Sequence, residues 1–169
     1  MSKLEEAISV IIQELNLQTE NDAIFCTRVA EKMRESFSGY GANFEEIFAN
    51  KIPNEKKLSS PIEFKNIKFL SYCKHHMTPI IGTITVSYTP NEWIIGLSRI
   101  MECINAFSGR LQLQEDMTVE IAECTNKYLL PKSVNVEIAA KHYCMQKSPN
   151  DILPEIKTSH EIVNSCSIA

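Results

Sequence analysis

Two short clusters of cysteine and histidine carry the side chains most able to do chemistry. Cys73, His75 and His76 lie almost side by side, and His142 and Cys144 follow much later in the chain. Thiolates and imidazoles are preferred zinc ligands, and a zinc ion with three protein ligands keeps a fourth position open for water. The two clusters therefore predict a zinc site with an open position, which is typical of catalysis.

His142 and Cys144 end a segment with strand periodicity. From Ser133 onward apolar residues occupy alternate positions, which predicts a strand whose buried face continues through His142 to Cys144. Side chains two apart on a strand point to the same side, so both residues can face one pocket. The alternative is a core histidine beside a small buried cysteine. The earlier Cys-Lys-His-His motif favours the metal site.

Composition indicates one globular domain with a helical extension. The chain has 169 residues, 44% of them hydrophobic, and a net charge of −4 without a basic run, which argues against nucleic-acid binding. No segment approaches the roughly 20 apolar residues of a membrane span, and the N-terminus does not resemble a signal peptide. We therefore expect a soluble cytoplasmic protein whose cysteines are reduced thiols or metal ligands: Cys26, Cys73, Cys103, Cys124, Cys144 and Cys166.

Periodicity predicts the order of the elements. Ser2 with Glu5 is a capping box, and Thr19 with Asp22 suggests the start of a second helix. Residues 51–66 show no period and are predicted to be a loop. Strands at 67–72 and 80–88, two amphipathic helices and the strand from Ser133 follow. The predicted organisation is an N-terminal helical extension (1–50), the loop (51–66) and a catalytic domain (67–169).

Four motifs in this order resemble the GTP cyclohydrolase I family: SYCKHHMTP at 71–79, IGLSR at 95–99, RLQLQE at 110–115 and HYCM at 142–145. The similarity covers roughly residues 28–147. It implies an α+β tunnelling fold, with an antiparallel four-stranded sheet, two helices packed on one face and N-terminal helices before them. A final strand near 155–163 would complete the sheet. The resemblance also implies a homo-oligomer, a decamer of two stacked rings.

The resemblance implies roles for particular residues. Cys73, His76 and Cys144 match the zinc ligands, and His75 and His142 match histidines that handle protons. Gln114 and Glu115 match residues at the guanine edge. Leu97, Ser98 and Arg99 match residues near the ribose and triphosphate, and Ser98 is also expected to take part in catalysis. The implied reaction is hydrolysis of GTP at C8, releasing formate and giving 7,8-dihydroneopterin triphosphate for pterin and folate synthesis. Two simpler interpretations stay open: Glu115 favours a helix N-terminus, and Ser98 caps a helix.

The phosphate end of the pattern departs from the family. Lys74 stands where a glutamate is usual, Glu102 replaces a phosphate-binding arginine, and Ser148 and Pro149 replace another arginine and a glycine. Each lost charge-assisted pair costs about 1.5–3 kcal/mol of triphosphate binding. The cations that could take over are Arg28, Lys74 and Arg99.

These departures leave three alternatives. The first is a divergent GTP cyclohydrolase I with compensating cations. The second is a zinc hydrolase of the same fold that acts on another purine or pterin with fewer phosphates. The third is a structural or regulatory member whose zinc only stabilises the fold. A purely structural zinc usually has four protein ligands, so three matched ligands favour the enzymes, whereas His75 as a fourth ligand would favour the structural role.

Overall fold

The computed structural model describes residues 1–19 and 21–164; Cys166, one of the predicted reduced thiols, lies outside them. The chain divides into two compact units, Met1–Ser38 and Gly39–Ala169. Within the described residues, no helix is both long enough and apolar enough for a membrane span. The five described cysteines are free thiols.

The first unit is a pair of helices, α1 (Lys3–Glu14) and α2 (Asp22–Ser36). The predicted capping box at Ser2 is confirmed. The predicted role of Thr19 is wrong, because Asn21 directly precedes α2 and its side chain accepts the N–H of Ile24 at 3.1 Å. The Thr19 hydroxyl instead bonds the Asp22 carboxylate. The core of this unit consists of Ile8, Ile12, Cys26 and Ala30.

The second unit holds the remaining α-helices and all the strands. Its helices are α3 (Phe44–Ile47), α4 (Leu97–Ser108) and α5 (Gln114–Leu129). Its strands are β1 (Lys51–Pro53), β2 (Ile62–Cys73), β3 (Pro79–Thr89), β4 (Trp93–Ile95), β5 (Leu111–Gln112), β6 (Ser133–His142) and β7 (Ile156–Val163). Short 3-10 turns cover Ser38–Gly41 and Tyr143–Met145.

The main sheet has the strand order β5-β2-β3-β6-β7. Its four long strands are antiparallel neighbours, and β5 adds a short parallel pairing to the end of β2. Alternate residues on one face, such as Ile84 and Ile138, are buried in one core with Ile104 of α4 and Ile121 of α5. Two hairpins with two helices packed on one face confirm the predicted α+β tunnelling fold, including the final strand.

The prediction of a loop over residues 51–66 is wrong at both ends. β1 pairs with β4, and β2 begins at Ile62, five residues before the predicted strand. A register shift between Phe64 and Ile67, with Asn66 at φ 57°, interrupts the alternation and hides this strand from a period search. The first compact unit also ends at Ser38, whereas the predicted extension runs to residue 50.

Candidate metal centre

The turn from β2 into β3 places a thiol and an imidazole side by side. Cys73 is the buried last residue of β2; its N–H donates to the Thr78 carbonyl at 2.8 Å, and its carbonyl accepts from the Met77 N–H at 2.8 Å. Met77 has φ 53°, a left-handed conformation that turns the chain back on itself. As a result, the Nδ1 atom of His76 lies 3.7 Å from the Cys73 sulfur.

A second contact fixes this turn against the sheet. The Lys74 N–H donates to the Gln112 carbonyl of β5 at 3.0 Å, so the short parallel strand supports the turn from its side. The side chains of Lys74 and His75 are exposed beside the group. The ring of His75 meets that of His76 edge-on, with 6.0 Å between ring centroids. Both predicted residues therefore border the site.

Strand register brings the third residue of the group close to the other two. His142 pairs with Ile80 at the start of β3, next to the turn that holds Cys73. The prediction that the strand continues to Cys144 is wrong, because β6 ends at His142 and Tyr143–Met145 forms a 3-10 turn. The Gln146 N–H closes that turn on the Tyr143 carbonyl at 3.1 Å. The ligand atoms of Cys73, His76 and Cys144 nevertheless lie within 4.8 Å of one another.

The donor set and its spacing fit zinc. A tetrahedral ion with Zn–S of about 2.3 Å and Zn–N of about 2.0 Å places its ligand atoms roughly 3.5–3.8 Å apart. The distance of 3.7 Å between the Cys73 sulfur and His76 Nδ1 falls in this range. The other ligand atoms lie within 4.8 Å, so they need to move only slightly closer to reach it. Two thiols and an imidazole are the soft and borderline ligands that select zinc over magnesium or calcium.

The electrostatics of the group favour a cation. Burial raises the pKa of the Cys144 thiol, and the neighbouring Cys73 thiol acts in the same direction, while the Thr78 hydroxyl opposes them. The Cys144 sulfur therefore resists becoming a thiolate on its own. A divalent cation reverses this balance because thiolates are its ligands.

His142 lies next to the group at the end of β6. It is half-buried, and its Nε2 atom is 2.7 Å from Oε1 of Gln114, which is fully buried at the start of α5. Burial lowers the pKa of His142, and the negative charge of Glu115 acts against this shift. Glu115 is exposed in the first turn of α5, close enough for its charge to act on the imidazole.

The start of α4 carries a second predicted segment. Leu97 and Ser98 are exposed in its first turn, behind Gly96 as the N-cap. The alternative that Ser98 caps this helix is therefore wrong. The Arg99 guanidinium donates to the Glu102 carboxylate at 2.7 Å. Arg99, the cation predicted to bind the triphosphate, therefore already has an anionic partner.

Comparison with known proteins decides the family. The model of the family described as GTP cyclohydrolase I matches residues 4–159, more than the sequence motifs alone covered. The chain belongs to the GTP cyclohydrolase I family. The predicted membership and the prediction of a hydrolase are thereby confirmed.

Relatives of the GTP cyclohydrolase I family cover most of the chain. It is 40% identical over 143 residues to GTP cyclohydrolase 1 of Rickettsia bellii, covering 83% of this chain and 74% of that protein. GTP cyclohydrolase 1 of Rickettsia akari is 36% identical over 162 residues, which cover 95% of this chain and 82% of that protein. GTP cyclohydrolase 1 of Bartonella quintana is 37% identical over 145 residues, which cover 85% of this chain and 70% of that protein.

Two solved structures show a more distant likeness. An archaeosine synthase of the QueF-like type matches with a TM-score of 0.48 and 18% identity, over 59% of this chain and 92% of that one. Dihydroneopterin aldolase from Burkholderia thailendensis bound to guanine matches with a TM-score of 0.40 and 10% identity, over 66% and 98%. At these TM-scores neither likeness adds to the GTP cyclohydrolase I assignment.

The predicted site residues of this GTP cyclohydrolase I family member fall into three sets. The structure groups Cys73, His76 and Cys144, with Lys74 and His75 in the same turn, and it joins His142, two residues before Cys144, to Gln114 and the charge of Glu115. Leu97, Ser98 and Arg99 share the first turn of α4. Arg28 lies on α2 of the first unit.

Sequence reasoning missed two threonines near the site. Thr78 acts on the Cys144 thiol, and Thr158 of β7 accepts from the Gln114 side chain at 3.1 Å. A signal existed for Thr158, because it alternates with exposed Lys157 and Ser159 on a strand and therefore faces inward. Thr78 lies in a turn, where no period marks it.

Proposed function

We propose that this protein is a zinc-dependent GTP cyclohydrolase I, which hydrolyses GTP at C8 to give formate and 7,8-dihydroneopterin triphosphate. The observation that carries the proposal is the grouping of Cys73, His76 and Cys144 within 4.8 Å, with His142 two residues before Cys144 at the end of β6. Family membership supports the same substrate and reaction. The product class would feed pterin and folate synthesis.

The side chains around the group have separate tasks in this proposal. Cys73, His76 and Cys144 hold the zinc ion, which when bound supplies a Lewis acid that makes water nucleophilic at neutral pH. His142 and exposed His75 take up and return protons during ring opening. Ser98, in the first turn of α4, orients the ribose and the phosphates.

Glu115 selects the base. Its exposed carboxylate at the start of α5 can accept two N–H groups from the guanine edge. Adenine offers no matching pair of donors, so the carboxylate would be left unpaired beneath the bound base. Leu97 and Arg99 belong to the same proposed substrate pocket, together with Lys74 as a cation for the phosphates, and Gln114 supports this pocket through its bond to His142.

A second candidate is supported by the phosphate end. Arg99 is engaged by Glu102, and the Asp151 carboxylate accepts the backbone N–H of Ser148 at 2.8 Å. One carboxylate thus stands where the family pattern has an arginine, and a second carboxylate is bonded to the serine that replaces the other arginine. This arrangement favours a zinc hydrolase of the same fold that acts on a purine or pterin with fewer phosphates.

Assembly and location are part of the proposal. Leu70 and Ile81 are exposed apolar partners on neighbouring strands β2 and β3, which supports self-association. The family pattern suggests a homo-oligomer, a decamer, working in the cytoplasm on free nucleotide, without a nucleic-acid or membrane partner. Size-exclusion chromatography with light scattering measures the number of subunits.

The deciding experiment is turnover by the zinc-loaded protein. GTP, GMP, guanosine and reduced pterins are offered in parallel, and formate is measured together with pterin fluorescence. Formate and pterin from GTP support the first candidate, while turnover only of the less phosphorylated compounds supports the second. If neither occurs with one zinc per chain, both candidates are refuted. The His160→Ala variant, altered at a histidine of β7 outside the proposed site, is the matched control for His142→Ala, which should be inactive with zinc retained.

A further inference from the structure

The orientation of one buried amide is fixed by its surroundings. The Nε2 atom of Gln114 lies 3.2 Å from the Ile138 carbonyl, 3.0 Å from the Ile156 carbonyl and 3.1 Å from the Thr158 hydroxyl. Carbonyl oxygens only accept hydrogen bonds, so the NH2 end of the amide must face them. Turning the amide over would bring three oxygens together at a site with no access to water.

The other end of the amide then determines the state of an imidazole. Gln114 Oε1 faces His142 Nε2 at 2.7 Å, and an amide oxygen only accepts. His142 must therefore carry a hydrogen on Nε2. In the neutral ring the free lone pair is consequently on Nδ1.

We propose that Gln114 is a positioning residue, which holds His142 in the Nε2-protonated tautomer and presents Nδ1 as the reactive nitrogen. The side-chain atoms of Gln114 are all engaged within the protein, which replaces the expectation that its amide binds guanine. The importance of Gln114 for turnover rests on the proposed function. The tautomer of His142 follows from the hydrogen bonds alone.

The network behind Gln114 is suited to hold it still. The Thr118 hydroxyl donates to the Gln114 carbonyl at 2.7 Å and lies 2.6 Å from the Thr158 hydroxyl. The bonds from the Gln114 amide to the Ile138 and Ile156 carbonyls attach α5 to β6 and β7 near His142. The imidazole is thus fixed relative to the sheet that also carries the Cys/His group.

The first test is the tautomer in the zinc-loaded protein. Histidine labelled with 15N distinguishes the two neutral tautomers by NMR, and the His142→Asn spectrum identifies the His142 signals. We expect wild type to show the Nε2-protonated form. The opposite tautomer in wild type would overturn the inference, and this measurement needs no Gln114 variant to fold.

Variants separate positioning from packing. Gln114→Met keeps the volume and removes the acceptor, so the tautomer preference should be lost. Thr125→Val is the matched control, since it removes a buried hydroxyl of the same helix outside the Gln114 network, and it should keep the wild-type spectrum. An unchanged spectrum in Gln114→Met, or a spectrum altered equally by Thr125→Val, contradicts the proposal.

Kinetics supply the second readout. If wild type turns over GTP, Gln114→Met should lower kcat about 10-fold or more with KM and zinc content nearly unchanged. A raised KM with unchanged kcat would instead identify Gln114 as a substrate contact and overturn the inference. If wild type does not act on GTP, the proposed function fails and the NMR result alone decides the role of Gln114.

Discussion

The three proposed ligands differ in how firmly the fold holds them. Cys73 is buried at the end of a strand, Cys144 is half-buried in a 3-10 turn, and His76 is exposed in the turn after β2. A buried side chain is already ordered, whereas an exposed imidazole loses rotamer freedom when it binds. The exposed histidine therefore gains most of its order from the metal.

Removing one ligand should empty the site. His76→Ala and Cys144→Ala each leave two protein ligands. Losing a residue that only hydrogen-bonds to a ligand already costs about 10- to 100-fold in metal affinity, so losing a ligand itself should cost more. Metal analysis after dialysis should find less than one zinc per chain. The matched controls are His160→Ala and Cys26→Ala, which should retain it. Stoichiometric zinc in His76→Ala or Cys144→Ala would refute the ligand set.

The ion pair on α4 should limit binding of phosphates. Glu102→Gln releases Arg99 from its 2.7 Å partner, and Glu102→Arg adds a charge as well. Because exposed ion pairs contribute about 0.2–1 kcal/mol, we expect the affinity for GTP to rise up to about fivefold for Glu102→Gln and more for Glu102→Arg. Calorimetric titration measures it, with Glu123→Gln, an exposed glutamate on α5, as control. No gain in either variant would place the phosphates elsewhere.

Residue types predicted the ligands better than they predicted their neighbours. Cysteine and histidine are rare enough on a surface that Cys73, His76 and Cys144 could be singled out from spacing and resemblance. Gln114 could not be interpreted in the same way, because its role depends on which oxygens surround the amide. That arrangement joins α5 to β6 and β7, which are distant in sequence.

At the scale of elements, the pairing of β3 with β6 carries the site. Gly82 faces Ala140 across this pair, and a Cβ atom on Gly82 would lie only 2.1 Å from the Ala139 carbonyl oxygen. Such a contact with backbone cannot be relieved by turning a side chain. The close approach of the two strands therefore requires glycine here.

Gly82→Ala should consequently destabilise the fold. We expect a loss of at least about 2 kcal/mol in the free energy of unfolding, which corresponds to a fall in Tm of roughly 4–8 °C. Thermal unfolding followed by circular dichroism measures it. Gly41→Ala is the control, since among the described residues no atom beyond the glycine and its chain neighbours lies within 4 Å of the added Cβ. Equal effects of the two substitutions would show that the strands separate more easily than the structure indicates.

Elements with an unbroken period were predicted, and elements with a local irregularity were not. The stripes of α4 and α5 and the alternation in β3 each bury one face, so a pattern search finds them. The bulge in β2 and the end of β6 before Cys144 are set by backbone turns. Such turns are local changes of backbone conformation, which a periodic pattern does not encode.

At the scale of the whole molecule, zinc should act as a stabilising ligand. A ligand that binds only the folded chain raises the free energy of unfolding by about 2.7 kcal/mol when its free concentration is 100 times its Kd. Tm should then rise by roughly 5–10 °C. Scanning calorimetry with and without a chelator measures the shift. Cys144→Ala should show none, and magnesium should not replace zinc, because thiols are poor ligands for it. A chelator without effect on wild type would argue against a folded-state zinc site.

The separation of the ligands along the chain has a consequence for the order of folding. Cys73 and His76 belong to one turn and can meet in a largely unfolded chain, whereas Cys144 arrives only when β6 has paired with β3 at the register that sets His142 opposite Ile80. A slip of one residue would turn the end of β6 to the other side of the sheet. Tight metal uptake during refolding therefore reports that this non-local pairing is complete, and it should follow the slower contacts of the sheet rather than precede them.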